Sequence, residues 1–288
     1  MTPILCFDLE TIPDASGLRR LGLFDADCDD ASGVAAAQAA RRESHGNDFF
    51  PHYLQRVWVI GCVFRDHEGF RVRCLGEQHG ASDAEEAARL RAFFKTIEKH
   101  TPQLVSWNGS GFDLPVLHHR AMLHGVAAPR YWEQGDDDRD FKYNNYLSRY
   151  HSRHTDLMDV LSAYQGRAFA PLDAMSRLCG FGGKLGADGS KVYEAFCNHQ
   201  GEAIRAYCET DVVNTYLLYC RFRLLRGDLT AEQYREELRL VRNTLSGLIG
   251  DSSSPLQGGH SGSTSGNPSR GTSGSTSGST SVKFTLTF

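Results

Sequence analysis

The sequence lacks the features that mark a membrane-bound or disulfide-stabilised protein. It contains no run of about 18 apolar residues, so it has no typical transmembrane helix. Its eight cysteines include no C-x-x-C pair and are scattered through apolar segments. This pattern disfavours a zinc site and predicts reduced core thiols in a cytoplasmic protein. The first residues also lack the basic and apolar regions of a signal peptide.

An excess of positive charge is also absent. The formal net charge is -4, from 31 Lys and Arg residues against 35 Asp and Glu residues. A site that holds several carboxylates lowers the total charge, while a local basic rim can still contact phosphates. The net charge therefore leaves a nucleic-acid substrate open. With 288 residues, 40% of them hydrophobic, the chain can build one sizeable core or two small ones.

The order of strand-like and helix-like segments indicates the fold class. Short apolar runs predict strands at residues 4–9, 57–64, 70–75 and 104–107. Helices are predicted at residues 84–98, 115–123, 157–164, 172–178, 203–225 and 231–245. Residues 14–47 form a polar insertion with an Ala-rich helix. Strands that come first and helices that alternate later predict an α/β sheet covered by helices.

The composition changes abruptly near residue 251. Gly, Ser and Thr dominate up to residue 281, which predicts a disordered tail. Residues 282–288 alternate apolar and polar side chains like a strand. They are either a segment that adds to a partner's sheet or an incidental terminus. We expect a folded domain at residues 1–250 and a Gly/Ser/Thr-rich tail at residues 251–288.

Two carboxylates stand one residue apart in the run ILCFDLET at residues 4–11. Side chains alternate between faces along a strand, so Asp8 and Glu10 point the same way. Adjacent carboxylates near a core repel each other unless a cation lies between them. Oxygen ligands of this kind suit Mg²⁺ or Mn²⁺. The alternative is a strand end whose acids face water.

A second motif, SWNGSGFDLP at residues 106–115, leaves the fourth predicted strand and enters a helix. Asp113 is either the N-cap of that helix or a ligand at the end of a strand, where open α/β sheets collect their substrates. Asn108 and Phe112 offer a polar contact and an aromatic face. A nucleotide base or sugar can use both.

A third motif, YCETD at residues 207–211, lies in the longest predicted helix. Tyr207 and Asp211 are four residues apart and share a helix face. The neighbouring apolar residues predict a mostly buried environment, in which a lone aspartate is costly. The alternative is a packed tyrosine beside a solvated aspartate.

The ordered set of D-x-E, N-x3-F-D and Y-x3-D resembles the DEDD superfamily of 3'–5' exonucleases, in the variant with tyrosine in its third motif. More closely, the chain resembles stand-alone exonucleases related to the proofreading domain of family B DNA polymerases. The runs FPHYLQRV (residues 50–57), HTDLMD (154–159), GKLG (183–186) and GSKV (189–192) support the resemblance, which covers about residues 3–225. It implies a ribonuclease H-like mixed sheet flanked by helices.

The resemblance also implies phosphodiester hydrolysis with two divalent metal ions, Mg²⁺ or Mn²⁺. Asp8 would bridge the two ions. Glu10 and Asp211 would bind the ion on the side of the nucleophile, and Asp113 would bind the second ion, directly or through water. Tyr207 would orient the attacking water, because a phenol with an ordinary pKa near 10 is not a base at neutral pH.

Several residues are predicted to contact the substrate. They are Leu9 and Thr11 beside the first acids, Asn108 and Phe112 in the second motif, and Lys184 in a glycine-rich loop. The predicted partner is the 3' end of single-stranded DNA, without any membrane association. An RNA 3'-end trimmer and a non-catalytic nucleic-acid-binding module remain open. Residues 118–120 are expected on a solvated helix face, and Asp156 is expected to cap a helix.

Overall fold

The computed structural model describes residues 1–75, 80–183 and 191–251. Its strands are β1 (Ile4–Pro13), β2 (Gln55–Asp66), β3 (Gly69–Leu75), β4 (Gln103–Ser106) and β5 (His154–Asp156). Within the described ranges they form a five-stranded sheet in the order β3-β2-β1-β4-β5. β1 pairs antiparallel with β2 and parallel with β4, and β5 extends the parallel half. The sheet is therefore mixed, with β1 at its centre.

Helices cover both faces of this sheet. They are α1 (Ala15–Arg20), α2 (Asp30–His45), α3 (Asp83–His100), α4 (Asp113–Leu123), α5 (Pro129–Trp132), α6 (Leu157–Leu161), α7 (Leu172–Leu178), α8 (Val192–Cys197), α9 (Gly201–Arg226) and α10 (Ala231–Asp251). The predicted ribonuclease H-like mixed sheet flanked by helices is thus confirmed. Residues 252–288, which belong to the tail predicted to be disordered, lie outside the described residues.

The alternation along β1 sends its side chains into two separate cores. Ile4 and Cys6 pack with residues of α9 and α10, whereas Leu5 and Phe7 pack with residues of α3 and α4. Because the alternation continues along the strand, Asp8 and Glu10 turn toward α9. This places two acids of β1 opposite the third motif, which lies on α9.

A glycine lets α9 approach the sheet closely at this point. Gly61 on β2 is the register partner of Asp8. A Cβ atom at Gly61 would lie 2.6 Å from Cys208 Sγ and 3.2 Å from the Cys208 carbonyl oxygen. Such distances are too short for any side chain larger than glycine. Because Gly61 has no side chain, α9 packs closely on the sheet here, and the third motif lies next to Asp8 of β1.

Two features of the strands differ from the sequence prediction. β1 extends to Pro13 and changes register between Glu10 and Thr11, a bulge that bends the strand beside the acids. β5 was not predicted as a strand. It has only three residues, His154–Asp156, all polar, so it lacks the apolar run on which the other strand predictions rested.

The prediction of a solvated face for residues 118–120 is wrong at Arg120, which is fully buried. Its guanidinium donates to Glu86 Oε1 at 2.7 Å and to Asp14 Oδ2 at 2.5 Å. Asp14 follows β1 directly and also accepts from Arg56 at 2.8 Å. Paired with two carboxylates, Arg120 is stable inside the protein and ties α4 to the end of β1.

The cysteines agree with the sequence prediction of reduced thiols. All eight are free in the structure, and five of them, Cys6, Cys62, Cys74, Cys208 and Cys220, are buried. Of the helices in the described ranges, none combines the length and the apolarity that a membrane span requires.

Candidate active site

A cleft of about 660 Å³ opens beside the second half of β1. Asp8 and Glu10 of β1, together with Tyr207 and Asp211 of α9, contribute to its walls. Glu10 and Asp211 are only 5% and 4% exposed, respectively. The structure therefore brings the first and third sequence motifs together in one largely buried acidic site.

The first pair of acids is tightly grouped. Carboxylate oxygens of Asp8 and Glu10 and the sulfur of Cys208 all lie within 4.8 Å of one another. The Cys208 thiol donates to Asp8 Oδ2 at 3.7 Å and to the Asp8 carbonyl oxygen at 3.5 Å. Burial and the adjacent carboxylates raise the pKa of Cys208 well above its ordinary value. Cys208 is therefore a neutral hydrogen-bond donor to Asp8.

Asp113 is directed at β1 rather than at its own helix. It is the first residue of α4, and the N-cap position is occupied by Phe112, without a side-chain cap. Asp113 Oδ1 accepts the backbone N–H of Leu9 at 3.0 Å, which places it between the two acids of β1 along the chain. Burial raises the pKa of Asp113 to about 7, although hydrogen bonds from backbone amides oppose the shift. The N-cap alternative is therefore wrong.

Tyr207 faces the acids. Burial, followed by the negative charges of Asp211, Glu10 and Asp8, raises the pKa of its hydroxyl far above the ordinary value. The hydroxyl also hydrogen-bonds the Asp211 carboxylate. The phenol therefore stays protonated and acts as a donor in this site.

The loop of the second motif is held by Asp156 at the end of β5. The Asp156 carboxylate accepts the backbone N–H of Asn108 at 2.9 Å and that of Ser110 at 2.8 Å. It also accepts the N–H of Met158 at 3.1 Å, so the predicted helix cap is confirmed. Asn108 has a φ of 66°, a left-handed conformation that asparagine tolerates. Asp156 thus fixes the turn that leads into Asp113.

The predicted substrate contacts fall into two groups. Leu9, Thr11, Asn108 and Phe112 all line the cleft. The Thr11 hydroxyl donates to Gln55 Oε1 at 3.1 Å. Lys184 lies outside the described residues.

The donor set fits a hard divalent cation. Asp8, Glu10 and Asp211 line the cleft, and Asp113 Oδ1 accepts the backbone N–H of Leu9 between the first two acids. Among the described residues that line the cleft, none is a lysine or arginine. Carboxylates grouped in a buried site repel one another, and a bound cation relieves that repulsion. Oxygen ligands of this type are those that Mg²⁺ and Mn²⁺ prefer.

Three residues of the site were missed by the sequence analysis. Cys208 lies inside the third motif, but cysteine is common in buried helices and gave no signal. Gly61 lies in the middle of a strand, where glycine indicates a close approach of another backbone, and this signal was available. Phe49 lies in the segment before β2 and lines the cleft. It was missed because it belongs to no periodic run of apolar residues.

Solved structures of exonuclease I are similar to this chain at low identity. They include a zinc-bound form of Escherichia coli exonuclease I with single-stranded DNA (14% identity, TM-score 0.33, 81% of this chain and 46% of that chain). Another is E. coli exonuclease I with a dA16 oligonucleotide (14% identity, TM-score 0.32, 77% of this chain and 44% of that chain). A third is a product-bound structure of exonuclease I (14% identity, TM-score 0.32, 77% of this chain and 47% of that chain). The chain thus spans less than half the length of these proteins.

A family model described as a predicted 3'–5' exonuclease related to the exonuclease domain of PolB matches residues 47–254. Asp113, Tyr207 and Asp211 lie inside the matched range, whereas Asp8 and Glu10 precede it. The match covers more than half of the chain, and it confirms the resemblance read from the sequence motifs. The chain belongs to the family of predicted 3'–5' exonucleases related to the exonuclease domain of PolB.

Proposed function

We propose that this protein removes nucleotides from the 3' end of single-stranded DNA by metal-dependent hydrolysis of the phosphodiester bond. The observation that carries the proposal is the convergence of acids from β1 and α9 in one cleft, with Asp113 of α4 bonded to the strand between them. The exonuclease domain would comprise residues 1–250, since α10 packs through Val241 and Leu245 into the core that includes α9.

Four carboxylates would hold two divalent ions, Mg²⁺ or Mn²⁺. Asp8 would bridge them, Glu10 and Asp211 would bind the ion nearer the nucleophile, and Asp113 would bind the other, directly or through water. When bound, such a pair neutralises the phosphate, lowers the pKa of a bound water and stabilises the leaving oxygen. The Cys208 thiol, which donates to Asp8 Oδ2, would restrict the orientation of the bridging carboxylate.

The substrate strand would be positioned by residues around the acids. Leu9 would wedge against the terminal base, and Thr11 would contact the terminal 3' hydroxyl or phosphate. Asn108 and Phe112 would contact a base or sugar from the opposite motif. Thr11, Asn108 and Phe112 line the cleft, which supports their assignments. Leu9 also lines the cleft, but it is 5% exposed and packs in the core with Leu5 and Phe7, so only its edge is available to the base. Lys184 is proposed as a phosphate contact from sequence alone.

The polymer and the direction are tested with strands labelled at either end. We expect a 5'-labelled DNA strand to give a ladder of progressively shorter products in Mg²⁺ or Mn²⁺ and none in EDTA. A 3'-labelled strand should release labelled mononucleotide first. An RNA strand of the same sequence should be degraded more slowly. Faster degradation of RNA would favour a 3'-end trimmer of RNA, and equal activity in EDTA would contradict a metal-dependent site.

Tyr207→Phe is expected to lower kcat about 10- to 100-fold, because the attacking water loses the hydroxyl that orients it. Mn²⁺ affinity should stay within about twofold, since the hydroxyl is not a ligand. Tyr219→Phe is the matched control. Tyr219 is a buried tyrosine of the same helix whose hydroxyl donates to Gln103, away from the cleft. A Tyr207→Phe enzyme as fast as the control would remove Tyr207 from the mechanism.

The raised pKa of Asp113 predicts that metal affinity depends on pH. In the metal-free protein Asp113 takes up a proton below pH about 7, and a metal ion must displace that proton. Mn²⁺ affinity should therefore fall up to about tenfold per pH unit below 7 and level off above it. Asp113→Asn should bind more weakly and with a shallower dependence. Calorimetry between pH 5.5 and 8 tests this, and a flat wild-type profile would contradict it.

A further inference from the structure

Three aromatic rings form a continuous surface beside the cleft, here called the aromatic shelf: Phe49, His52 and Phe112. The ring centroids of Phe49 and Phe112 are 5.8 Å apart with planes tilted by 48°. Those of His52 and Phe112 are 5.5 Å apart with planes tilted by 58°. Phe49 and Phe112 line the cleft, and Phe49 is 56% exposed. A large apolar ring is thus presented to solvent beside the acids.

The exposed ring of Phe49 is carried by a well-anchored backbone. The Phe49 N–H donates to Asn47 Oδ1 at 3.2 Å, and Arg41 Nε donates to the Phe49 carbonyl oxygen. The neighbouring Asp48 forms an ion pair with Arg42 at 2.6 Å. Arg41 and Arg42 belong to the last turns of α2. The polar insertion therefore anchors the segment that carries Phe49.

Stacking on exposed rings is a source of affinity that is independent of phosphate contacts such as the one proposed for Lys184. Phe49 and Phe112 supply such rings in the lining of the cleft. Aromatic faces bind any base by stacking, irrespective of its sequence. A base that is paired and stacked within a duplex does not present its face to such a ring.

We propose that the aromatic shelf stacks an unpaired base of the strand whose 3' end occupies the cleft, with Phe49 as its outermost ring. The inference rests on the proposed function and deepens it. It makes an unpaired 3' end the substrate, recognised through base faces rather than base edges. The enzyme would accordingly accept strands of any sequence and degrade frayed or single-stranded ends faster than paired ends.

The test is a double-mutant cycle between Phe49 and the bases of the substrate. Binding of a fluorescein-labelled oligothymidylate is measured by anisotropy with Ca²⁺ in place of Mg²⁺, and the strand is checked for integrity afterwards. A second strand carries abasic sites at its last three positions. Phe49→Ala should weaken binding of the intact strand about 5- to 100-fold. It should leave binding of the abasic strand within about twofold of wild type.

Two further variants make the result specific. Phe49→Trp retains a ring and should restore most of the affinity. Tyr143→Ala removes another strongly exposed aromatic side chain, from outside the cleft, and should change nothing. If Phe49→Ala binds both strands as wild type does, the aromatic shelf is overturned. A third outcome is that Phe49→Ala weakens binding of the intact strand only, while the wild-type protein with Mg²⁺ hydrolyses neither strand. That result would support stacking on the aromatic shelf and contradict the proposed function.

Discussion

Replacing Asp8 or Asp211 with asparagine is expected to lower kcat/KM for single-stranded DNA by about a thousandfold or more. Bound divalent ions contribute several kcal/mol of charge stabilisation in the transition state, and each 1.36 kcal/mol is about a factor of ten in rate. Asparagine has nearly the shape of aspartate but supplies no negative charge. The effect should therefore fall on catalysis and metal binding rather than on folding.

Unfolding experiments separate these two outcomes. The acids of β1 and α9 line the same cleft, and like charges in one buried site repel each other. In EDTA, both asparagine variants should unfold at the same temperature as wild type or higher. Glu202→Gln replaces an exposed acid at the start of α9 and is the control for a general loss of charge. Wild-type activity in either aspartate variant would remove that residue from the site.

Arg120→Met is expected to destabilise the protein by about 3–5 kcal/mol, because it leaves Glu86 and Asp14 inside the protein without their main cation. Arg120 and Glu86 are both fully buried, and Asp14 is 1% exposed. Burial alone would raise the pKa of Asp14, but Arg120 and Arg56 hold that pKa below its usual range. The carboxylate thus depends on the two guanidinium groups.

Urea unfolding at neutral pH measures this loss of stability. Arg226→Met is the control, since Arg226 forms a half-exposed ion pair with Asp228 at 3.4 Å and should contribute less than about 1 kcal/mol. Arg120→Met/Glu86→Gln should recover part of the stability, because it removes one of the stranded charges. A loss below about 1 kcal/mol for Arg120→Met alone would contradict the account of this network.

The sequence predicted which acids lie on the same face, because side chains recur at a fixed period along a strand and along a helix. Asp8 and Glu10 share a face by the alternation of a strand, and Tyr207 and Asp211 share a face of a helix. The family match begins only at residue 47, so the assignment of the first pair depends on this alternation and on the structure. Both periods are local properties of the chain, and the structure preserves them.

What depends on distant partners was not predictable in the same way. Arg120 follows two histidines and has the local pattern of a solvated face, but its partners lie 34 and 106 residues away. The direction of Asp113 depends on the backbone of Leu9, 104 residues away. Such contacts form only when β1, α3 and α4 are assembled, so the local sequence carries no signal of them.

The role of the insertion was hidden for a related reason. The Ala-rich helix was predicted and is observed as α2, Asp30–His45. Its contribution lies in single side chains near its end, Arg41 and Arg42, which fix the residues before β2. The apolar pattern of a sequence predicts that a helix forms. It does not predict which residues the last turn of that helix contacts, because this depends on the path of the chain that follows.

The central claim is that the four carboxylates form a site for two divalent metal ions, and counting bound Mn²⁺ by electron paramagnetic resonance tests it most directly. With excess deoxynucleoside 5'-monophosphate present, wild type should bind two Mn²⁺ per chain at neutral pH. Asp8→Asn, which removes the proposed bridging ligand, should bind fewer than one Mn²⁺ per chain with comparable affinity. Wild type that binds no Mn²⁺, or Asp8→Asn that binds two as tightly as wild type, would contradict the claim.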